Sequence, residues 1–219
     1  MSGSRKLPPT ASVTIPGDGA KLVAPAAVRN ANAIGDLLAE VAPKSGHAME
    51  LASGTGQHIT AFAAQFPDLH WQPTEVNAAR RASIDAHVAE AGLSNLSPAL
   101  PLDACAPGWG AAHVGQDLIL LVNLLHLIST PEATRLIHEA ATALAPGGRF
   151  VIYGPFMRGG ELTSEGDAAF HASLTAQDPL IGYKDDFDVL DLLEAAGLEI
   201  VQVIEMPANN LALVAGRTA

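Results

Sequence analysis

Short apolar segments alternate with helical segments along most of this chain, and this alternation constrains its fold more than any other feature. Period and composition predict strands over 47–51, 70–73, 96–100, 117–123 and 149–153. Helical spacing predicts helices over 25–41, 57–66, 78–91 and 131–144, the last with Thr130 as its N-cap. Strand–helix–strand alternation implies parallel strands joined by right-handed crossovers. The sequence therefore predicts an α/β fold with a doubly wound sheet.

The C-terminal part departs from this rhythm. Residues 154–182 are largely polar, with a short helix predicted near 167–174, and another helix is predicted over 186–196. Strands predicted over 199–205 and 211–216 are separated by a short turn, which favours an antiparallel pair. We therefore expect a mostly parallel sheet of seven strands with an antiparallel C-terminal hairpin.

Length and charge narrow the class of protein. The 219 residues fit a single domain, 23–219, after a flexible tail, 1–22, that lacks the apolar core of a signal peptide. A formal net charge of −11 disfavours nucleic acid and membranes as partners. The single cysteine, Cys105, fits a reducing cytoplasm, and no His or Cys spacing predicts a metal site. Monomer and homodimer both stay open.

The loop 52–56 carries the clearest functional signal. A predicted strand runs into it and a helix follows at once, so Gly54 and Gly56 would let backbone approach a ligand closely. A turn that needs glycine only for its geometry would look the same. A dinucleotide fingerprint would require a third glycine where the chain has Ile59, so pyrophosphate binding is disfavoured.

Two carboxylates flank this loop. Glu50 precedes it and could serve a ligand that bears an ammonium group, directly or through water. Glu75 ends the next predicted strand, where a carboxylate can accept hydrogen bonds from both hydroxyls of a ribose. The pattern favours a nucleoside with a cationic part.

Segment 50–56 resembles motif I of class I S-adenosylmethionine-dependent methyltransferases, with Ala52 where the first glycine is commoner; an alanine there predicts a negative φ. The whole chain is identified as a member of an uncharacterised, largely bacterial methyltransferase-like family of unknown function. The segments that match are 24–30, 52–58, 71–73, 153–156, 163–164, 168–170 and 207–210. The resemblance implies a Rossmann-like methyltransferase sheet and S-adenosylmethionine as cofactor, but no established substrate.

The resemblance also implies a set of cofactor-binding residues. Glu50 and the loop after it would approach the methionine part, and Glu75 would take the ribose hydroxyls. Asp103 stands where an acid lies near the adenine amine, and the backbone of Asn123 would lie near the sulfonium. The other candidates in the loop, on the first helix or beside these positions are Arg29, Asn30, Ala52, Ser53, Gly54, Gly56, His58 and Ala104.

Arg29 and Asn30 lie on the first predicted helix, which could fold over the site as a lid, and Arg29 could pair with the methionine carboxylate. A surface arginine is the equal alternative. His58 could line the pocket, although its place at a helix start explains it equally well.

Two residues could act on the methyl acceptor. His126 could be a general base or a clamp, or a histidine that simply bonds backbone at a helix start. The Tyr153 hydroxyl could reach the acceptor, or its ring could close the core.

The segment 123–126 reads Asn-Leu-Leu-His and so lacks the Asn/Asp-Pro-Pro-Tyr motif of enzymes that methylate base amines and glutamine amides. The lack of this motif and the negative net charge together favour methyl transfer to a small molecule. A non-catalytic S-adenosylmethionine-binding protein with a regulatory or assembly role is the main alternative. A nucleotide-dependent oxidoreductase is a third, disfavoured by the missing third glycine.

Overall fold

The computed structural model describes residues 12–219, and a seven-stranded sheet lies at its centre. The chain begins with β1 (Ile15–Pro16) and β2 (Leu22–Val23), which pair as a separate antiparallel hairpin. The elements that follow are α1 (Pro25–Val41), β3 (Gly46–Leu51), α2 (Gln57–Gln65), β4 (Leu69–Pro73), α3 (Ala78–Ala91), α4 (Trp109–Ala112), β5 (Gln116–Val122), a 3-10 turn (Leu125–Leu127), α5 (Thr130–Ala143), β6 (Leu144–Met157), α6 (Glu165–Gln177), β7 (Lys184–Asp185), α7 (Asp186–Ala195), β8 (Glu199–Met206) and β9 (Asn210–Gly216).

The strand order across the sheet is β4-β3-β5-β6-β9-β8, with the short β7 added at the end of β6. Strands β4, β3, β5 and β6 run parallel, whereas β9 is antiparallel to both β6 and β8. The predicted α/β sheet with an antiparallel C-terminal hairpin is therefore confirmed. The carboxyl ends of the parallel strands meet at one edge, which is where ligands bind in sheets of this kind.

Helices cover both faces of the sheet, and β5 shows why its sequence is continuously apolar. Leu118 and Leu120 pack with residues of α1, α2 and α3, whereas Ile119 and Leu121 pack with residues of α4, α5 and α7. All four side chains are fully buried. A strand whose alternate residues enter two separate cores has no polar face.

The predicted strand 96–100 is not a continuous strand. Leu96 forms an isolated parallel bridge to Trp71 in β4 and Leu100 forms one to Thr74 just after β4, with Leu100 N donating to Pro73 O at 2.9 Å. Between them the ladder is broken, because Pro98 has no N–H and Ala99 N donates to Asp85 Oδ1 at 2.8 Å. The segment therefore lines the edge of β4 without continuing the sheet.

The start of α5 also differs from the prediction. Ser129 is the N-cap and Thr130 is the first helical residue. The Glu132 carboxylate accepts from Ser129 N at 2.7 Å and from Ser129 Oγ at 2.6 Å, a capping-box arrangement. Ser129 and Glu132 have the capping-box spacing, which fixes the helix start one residue earlier than the sequence suggested.

Half of the predicted tail lies outside the described residues, namely 1–11. Its remainder, 12–22, includes β1 and the start of β2, so part of it takes up regular structure. The flexibility of 1–22 and the domain boundary at 23 stay predictions. Within residues 12–219 there is no helix with both the length and the apolarity that crossing a bilayer requires.

Candidate functional site

The loop between β3 and α2 lies at the carboxyl edge of the sheet, and glycine serves two different purposes in it. Gly54 has φ 61° and Gly56 has φ 95°, both left-handed. A Cβ on Gly56 would lie 2.8 Å from the Ile84 Cα, so this glycine lets α3 approach the loop. A Cβ on Gly54 would meet no side chain. Gly54 therefore keeps the loop surface open, whereas Gly56 serves packing.

Ala52 also adopts a left-handed backbone, with φ 51°, so the prediction of a negative φ is wrong. The physical reason is the way the chain leaves the ladder. Ser53 N donates to Thr74 O at 2.8 Å, and Thr74 N donates to Glu50 O at 3.0 Å. The end of β3 thus stays bonded to the end of β4, and the chain must turn sharply at residue 52. Here alanine takes the conformation that glycine takes more easily.

A cavity of about 330 Å³ opens beside this loop. That volume falls within the range of small-molecule sites, about 300–1,000 Å³. It reaches from the loop after β3 to the residues that follow β5. The predicted residues that line it are Arg29, Glu50, Ala52, Ser53, Gly54, His58 and Asn123. The predicted residues that do not line this cavity are Asn30, Gly56, Glu75, Asp103, Ala104, His126 and Tyr153.

Glu50 is the most unusual group in this cavity. Its side chain is 1% exposed, and its Oε2 has no hydrogen-bond partner within residues 12–219. Burial raises the pKa of this carboxyl, a hydrogen bond with Ser53 lowers it and the neighbouring Glu75 carboxylate raises it, so that it lies at about 8. A buried carboxyl without a partner is costly unless a ligand supplies one, so the position fits a cationic group.

Glu75 is buried behind the loop and faces it. Its Oε2 accepts from Gly54 N at 3.1 Å, and its Oε1 accepts from Asn77 N at 2.9 Å. The guanidinium of Arg80 lies 4.0 Å from Oε2. The carboxylate is therefore aimed at the loop rather than away from it. Its role toward a ribose stays a prediction.

Asn30, His58 and Tyr153 come together although three different elements carry them. His58 Nε2 lies 2.7 Å from Asn30 Oδ1, and the Tyr153 hydroxyl also hydrogen-bonds Asn30. Burial lowers the pKa of His58 to about 4 and raises that of Tyr153. The imidazole and the phenol are therefore neutral near pH 7. The hydrogen bonds of these three side chains join α1 to α2 and to β6.

His126 lies in an aromatic cluster outside the cavity lining. Its ring centroid is 5.7 Å from that of Phe170 and 6.1 Å from that of Tyr183, in edge-on contacts. Burial, together with the positive charge of Lys184, lowers the pKa of His126 to about 3. A base that weak accepts protons poorly near pH 7. This geometry gives no support to the general-base hypothesis.

Asp103 and Ala104 lie away from the cavity, whereas Asn123 lies on it. Asp103 is exposed and its Oδ1 accepts from Cys105 N at 2.9 Å. Ala104 O accepts from Trp109 Nε1 at 3.0 Å. Asn123 follows β5 with a left-handed φ of 56°, and its N–H donates to Tyr153 O at 2.8 Å.

Sequence reasoning missed several residues that line the cavity, above all Ser12, Val13 and Arg80. Arg80 lies in the first turn of α3, shortly after Glu75, and that proximity was the available signal. For Ser12 and Val13 the sequence offers no signal, because only tertiary structure brings the N-terminal segment to the cavity.

Asp167 was also missed, although it joins several segments of the family pattern. Its carboxylate accepts from Thr163 Oγ1 at 2.9 Å, Ser164 Oγ at 2.6 Å, Tyr183 Oη at 2.9 Å and Asn209 Nδ2 at 3.1 Å. We call this group the Asp167 clamp. It ties α6 and the segment before β7 to the turn between β8 and β9.

No group of three or more His, Cys, Asp or Glu within residues 12–219 is arranged to hold a metal ion.

Comparison with protein families gives one match over almost the whole chain. A family described as "Protein of unknown function (DUF938)" matches residues 21–217. The match begins just before β2 and ends beyond β9, so it includes every strand of the seven-stranded sheet and all the residues that line the cavity except Ser12 and Val13. The expected membership of an uncharacterised family is confirmed.

Comparison with solved structures shows the class I methyltransferase fold. An O-methyltransferase family protein from Burkholderia thailandensis has a TM-score of 0.75 at 18% identity, over 89% of this chain and 58% of that one. An O-methyltransferase family 2 protein from Planctomyces limnophilus, in complex with apigenin, has a TM-score of 0.71 at 18% identity, over 88% of this chain and 60% of that one. Human N-acetylserotonin methyltransferase in complex with SAM has a TM-score of 0.73 at 14% identity, over 89% of this chain and 53% of that one. This chain therefore spans little more than half the length of these proteins.

Proposed function

We propose that this chain, which belongs to the DUF938 family of proteins of unknown function, transfers a methyl group from S-adenosylmethionine to a small molecule. One observation carries the proposal. The buried Glu50 carboxyl has an oxygen without a partner in the described part of the chain, and it lines a cavity at the carboxyl edge of a methyltransferase-type sheet. A ligand with a cationic part, attached to a nucleoside, satisfies both the charge and the place.

The charged groups around the cavity match those of S-adenosylmethionine. Glu50 would face its ammonium group, and Arg29, exposed on α1, would face its carboxylate. Glu75, whose carboxylate already bonds the loop backbone, would accept from the ribose hydroxyls. When bound, the cofactor supplies an electrophilic methyl group.

The chain's own contribution to transfer would be mainly positioning. Ala52 and Gly54 line the cavity with backbone rather than with bulky side chains, and Asn123 approaches it from β5. Holding an acceptor in line with the methyl carbon accounts for much of the rate that such enzymes achieve. Neither His126 nor Tyr153 offers a proton acceptor of suitable pKa. We therefore favour acceptors whose nucleophilic atom reacts without a strong protein base.

Three observations support a small-molecule acceptor. The net charge of −11 disfavours nucleic acid. The end of the cavity beyond β5 is lined by the apolar side chains of Val122, Leu124 and Leu127. Similar folds include a mitomycin 7-O-methyltransferase and N-acetylserotonin methyltransferase, whose names give small-molecule acceptors.

Calorimetric titration of the full chain with S-adenosylmethionine, S-adenosylhomocysteine and NAD⁺ tests the cofactor. We expect binding of the first two and none of NAD⁺. Glu75→Ala should weaken binding at least about tenfold, because a charge-assisted pair of hydrogen bonds is lost. Glu199→Ala, an exposed glutamate on β8, is the matched control and should bind as wild type does. Binding of NAD⁺ alone would contradict the proposal and favour an oxidoreductase.

A second measurement addresses transfer itself. Incubation with S-adenosylmethionine labelled in its methyl group and a small-molecule extract should yield labelled product, detected by mass spectrometry. Tight binding without product across acceptor classes would support the second candidate, a non-catalytic cofactor-binding protein. The weak basicity of His126 is the observation that keeps this candidate open.

A further inference from the structure

The N-terminal segment of the described chain lies against the cavity. Ser12 and Val13 belong to its lining, and the β1–β2 hairpin follows directly. Val13 and Ile15 are 47% and 50% exposed, so the segment buries little apolar surface of its own. We call residues 12–16 the strap. An element with so few buried contacts is held mainly by its polar tethers and opens at low cost.

Polar contacts anchor the C-terminal side of the β1–β2 hairpin to the loop between β3 and α2. Leu22 N donates to Ser83 Oγ at 2.8 Å, and Ser83 Oγ donates to Thr55 O at 2.8 Å. Ala24 N donates to Gln57 Oε1 at 2.6 Å. This side of the hairpin is therefore fixed to the body of the protein at the loop and the start of α2.

The other side of the hairpin is tied to Arg80. The Nη2 of Arg80 donates a hydrogen bond to Ser12 Oγ. The Nη1 of the same guanidinium lies 4.0 Å from Glu75 Oε2, which in turn accepts from Gly54 N. One side chain thus contacts the strap and lies beside the predicted ribose carboxylate, while it lines the cavity between them.

We propose that Arg80 is a cofactor-site residue that latches the strap over the bound cofactor and slows its release; this rests on the proposed function. With the cofactor beneath the strap, Glu75 would bind the ribose and hold the guanidinium in place. The fork of Arg80 is planar and rigid, so a guanidinium fixed at one nitrogen presents the other to Ser12 in a defined direction. Occupancy of the site therefore stabilises the closed strap.

Dissociation kinetics of S-adenosylhomocysteine from immobilised full-length protein test the latch. We expect Arg80→Ala to raise the dissociation rate constant by about five- to tenfold, the effect of one hydrogen bond from a charged donor at a partly exposed position. Ser12→Ala should raise it similarly. The double variant should release the ligand no faster than Arg80→Ala alone, because both single changes remove the same interaction. Arg135→Ala, which removes an exposed arginine on α5, is the control.

Hydrogen–deuterium exchange supplies a readout that a merely structural role would not change. In wild type the ligand should slow exchange of the amides of the strap, residues 12–16, and in Arg80→Ala this protection should be lost at equal thermal stability. Arg80→Lys keeps the charge but not the planar fork, so relative to Arg80→Ala it should restore binding strength more than strap protection.

The outcomes separate the two proposals. If wild type binds the ligand and Arg80→Ala releases it at the wild-type rate, the latch is wrong and the proposed function stands. If Arg80→Ala accelerates release while Ser12→Ala and strap exchange do not respond, Arg80 contacts the cofactor without a latch, and the proposal is again overturned. A wild type that binds neither cofactor form overturns the proposed function itself.

Discussion

At the scale of single residues, Glu50 holds a proton that a cationic ligand should displace. Its pKa of about 8 leaves most of the carboxyl protonated at pH 7, whereas a neighbouring ammonium group favours the ionised form. Binding should therefore release a proton near pH 7, and affinity should rise as pH increases from 6 to about 8. Calorimetry in buffers of different ionisation enthalpy measures this proton.

Glu50→Gln is the reference for that measurement, because the α-amino group of the ligand also titrates near pH 8. The variant should release fewer protons at pH 7 than wild type and lose most of the rise in affinity between pH 6 and 7.5. Equal proton release by both proteins would show that Glu50 does not face the cation.

The left-handed backbone of Ala52 gives a second residue-scale prediction. Ala52→Gly relieves about 1–2 kcal/mol of strain and loses about 0.5–1 kcal/mol in chain entropy, so the free energy of unfolding should rise by up to about 1.5 kcal/mol. Ala82→Gly, at an exposed position within α3, should instead lower it by about 1 kcal/mol. Urea unfolding compares the two. Destabilisation by both would mean that residue 52 has a negative φ in solution.

Residues that lie together in sequence were predictable as a site, and residues that tertiary structure brings together were not. Glu50 lies near the end of β3 and Ser53 and Gly54 follow that strand directly, so the motif alone placed them at one cavity. Contact of Asn30 with Tyr153 depends on how α1 packs over β6, which no local pattern encodes. The φ of Ala52 was missed for the same reason, because a hydrogen bond to β4 sets it.

At the scale of elements, the Asp167 clamp fixes α6 against the hairpin turn. Asp167→Ala removes four side-chain hydrogen bonds, but the group is partly exposed, so we expect a loss of about 1–2 kcal/mol in the free energy of unfolding. Amide exchange should accelerate in α6 and in the turn 207–209. Glu165→Ala, an exposed change in the same helical turn, should alter neither; an equal effect there would argue against the clamp.

Element boundaries were predicted well where local chemistry decides them. Helix α3 was predicted over 78–91 and has these bounds, since Gly92 caps it with a left-handed φ of 60°. The segment 96–100 was predicted poorly because the Ala99 N–H bonds Asp85 on α3 instead of the sheet. The competing partner lies on another element, so alternation of apolar residues could not reveal it.

At the scale of the whole molecule, two buried neutral histidines make the protein sensitive to acid. The pKa values of His58 and His126 fall to about 4 and about 3, below the value near 6.5 of an unfolded chain. Their contribution to stability is complete above pH 6.5 and is lost as pH falls toward those values. Each should add about 1.4 kcal/mol per pH unit to the loss of unfolding free energy in that range.

His126→Phe removes one of these contributions and keeps an aromatic ring beside Phe170. Between pH 6.5 and 5 its unfolding free energy should fall less steeply than that of wild type, as measured by urea titration at each pH. His138→Gln, an exposed change on α5, should follow the wild-type slope. Parallel slopes for wild type and His126→Phe would mean that His126 is accessible to protons in the native state.

The two backbone N–H groups that donate hydrogen bonds to Glu75 have a consequence for how the fold would select its ligand. Because Gly54 N and Asn77 N each bind one oxygen, the carboxylate is preorganised before any sugar arrives. A diol that docks there need not immobilise a flexible side chain, which would otherwise oppose binding by about 0.5–1.5 kcal/mol. A rigid acceptor pair discriminates by spacing, so a nucleoside that lacks one of its two vicinal hydroxyls should lose affinity out of proportion to the single atom removed.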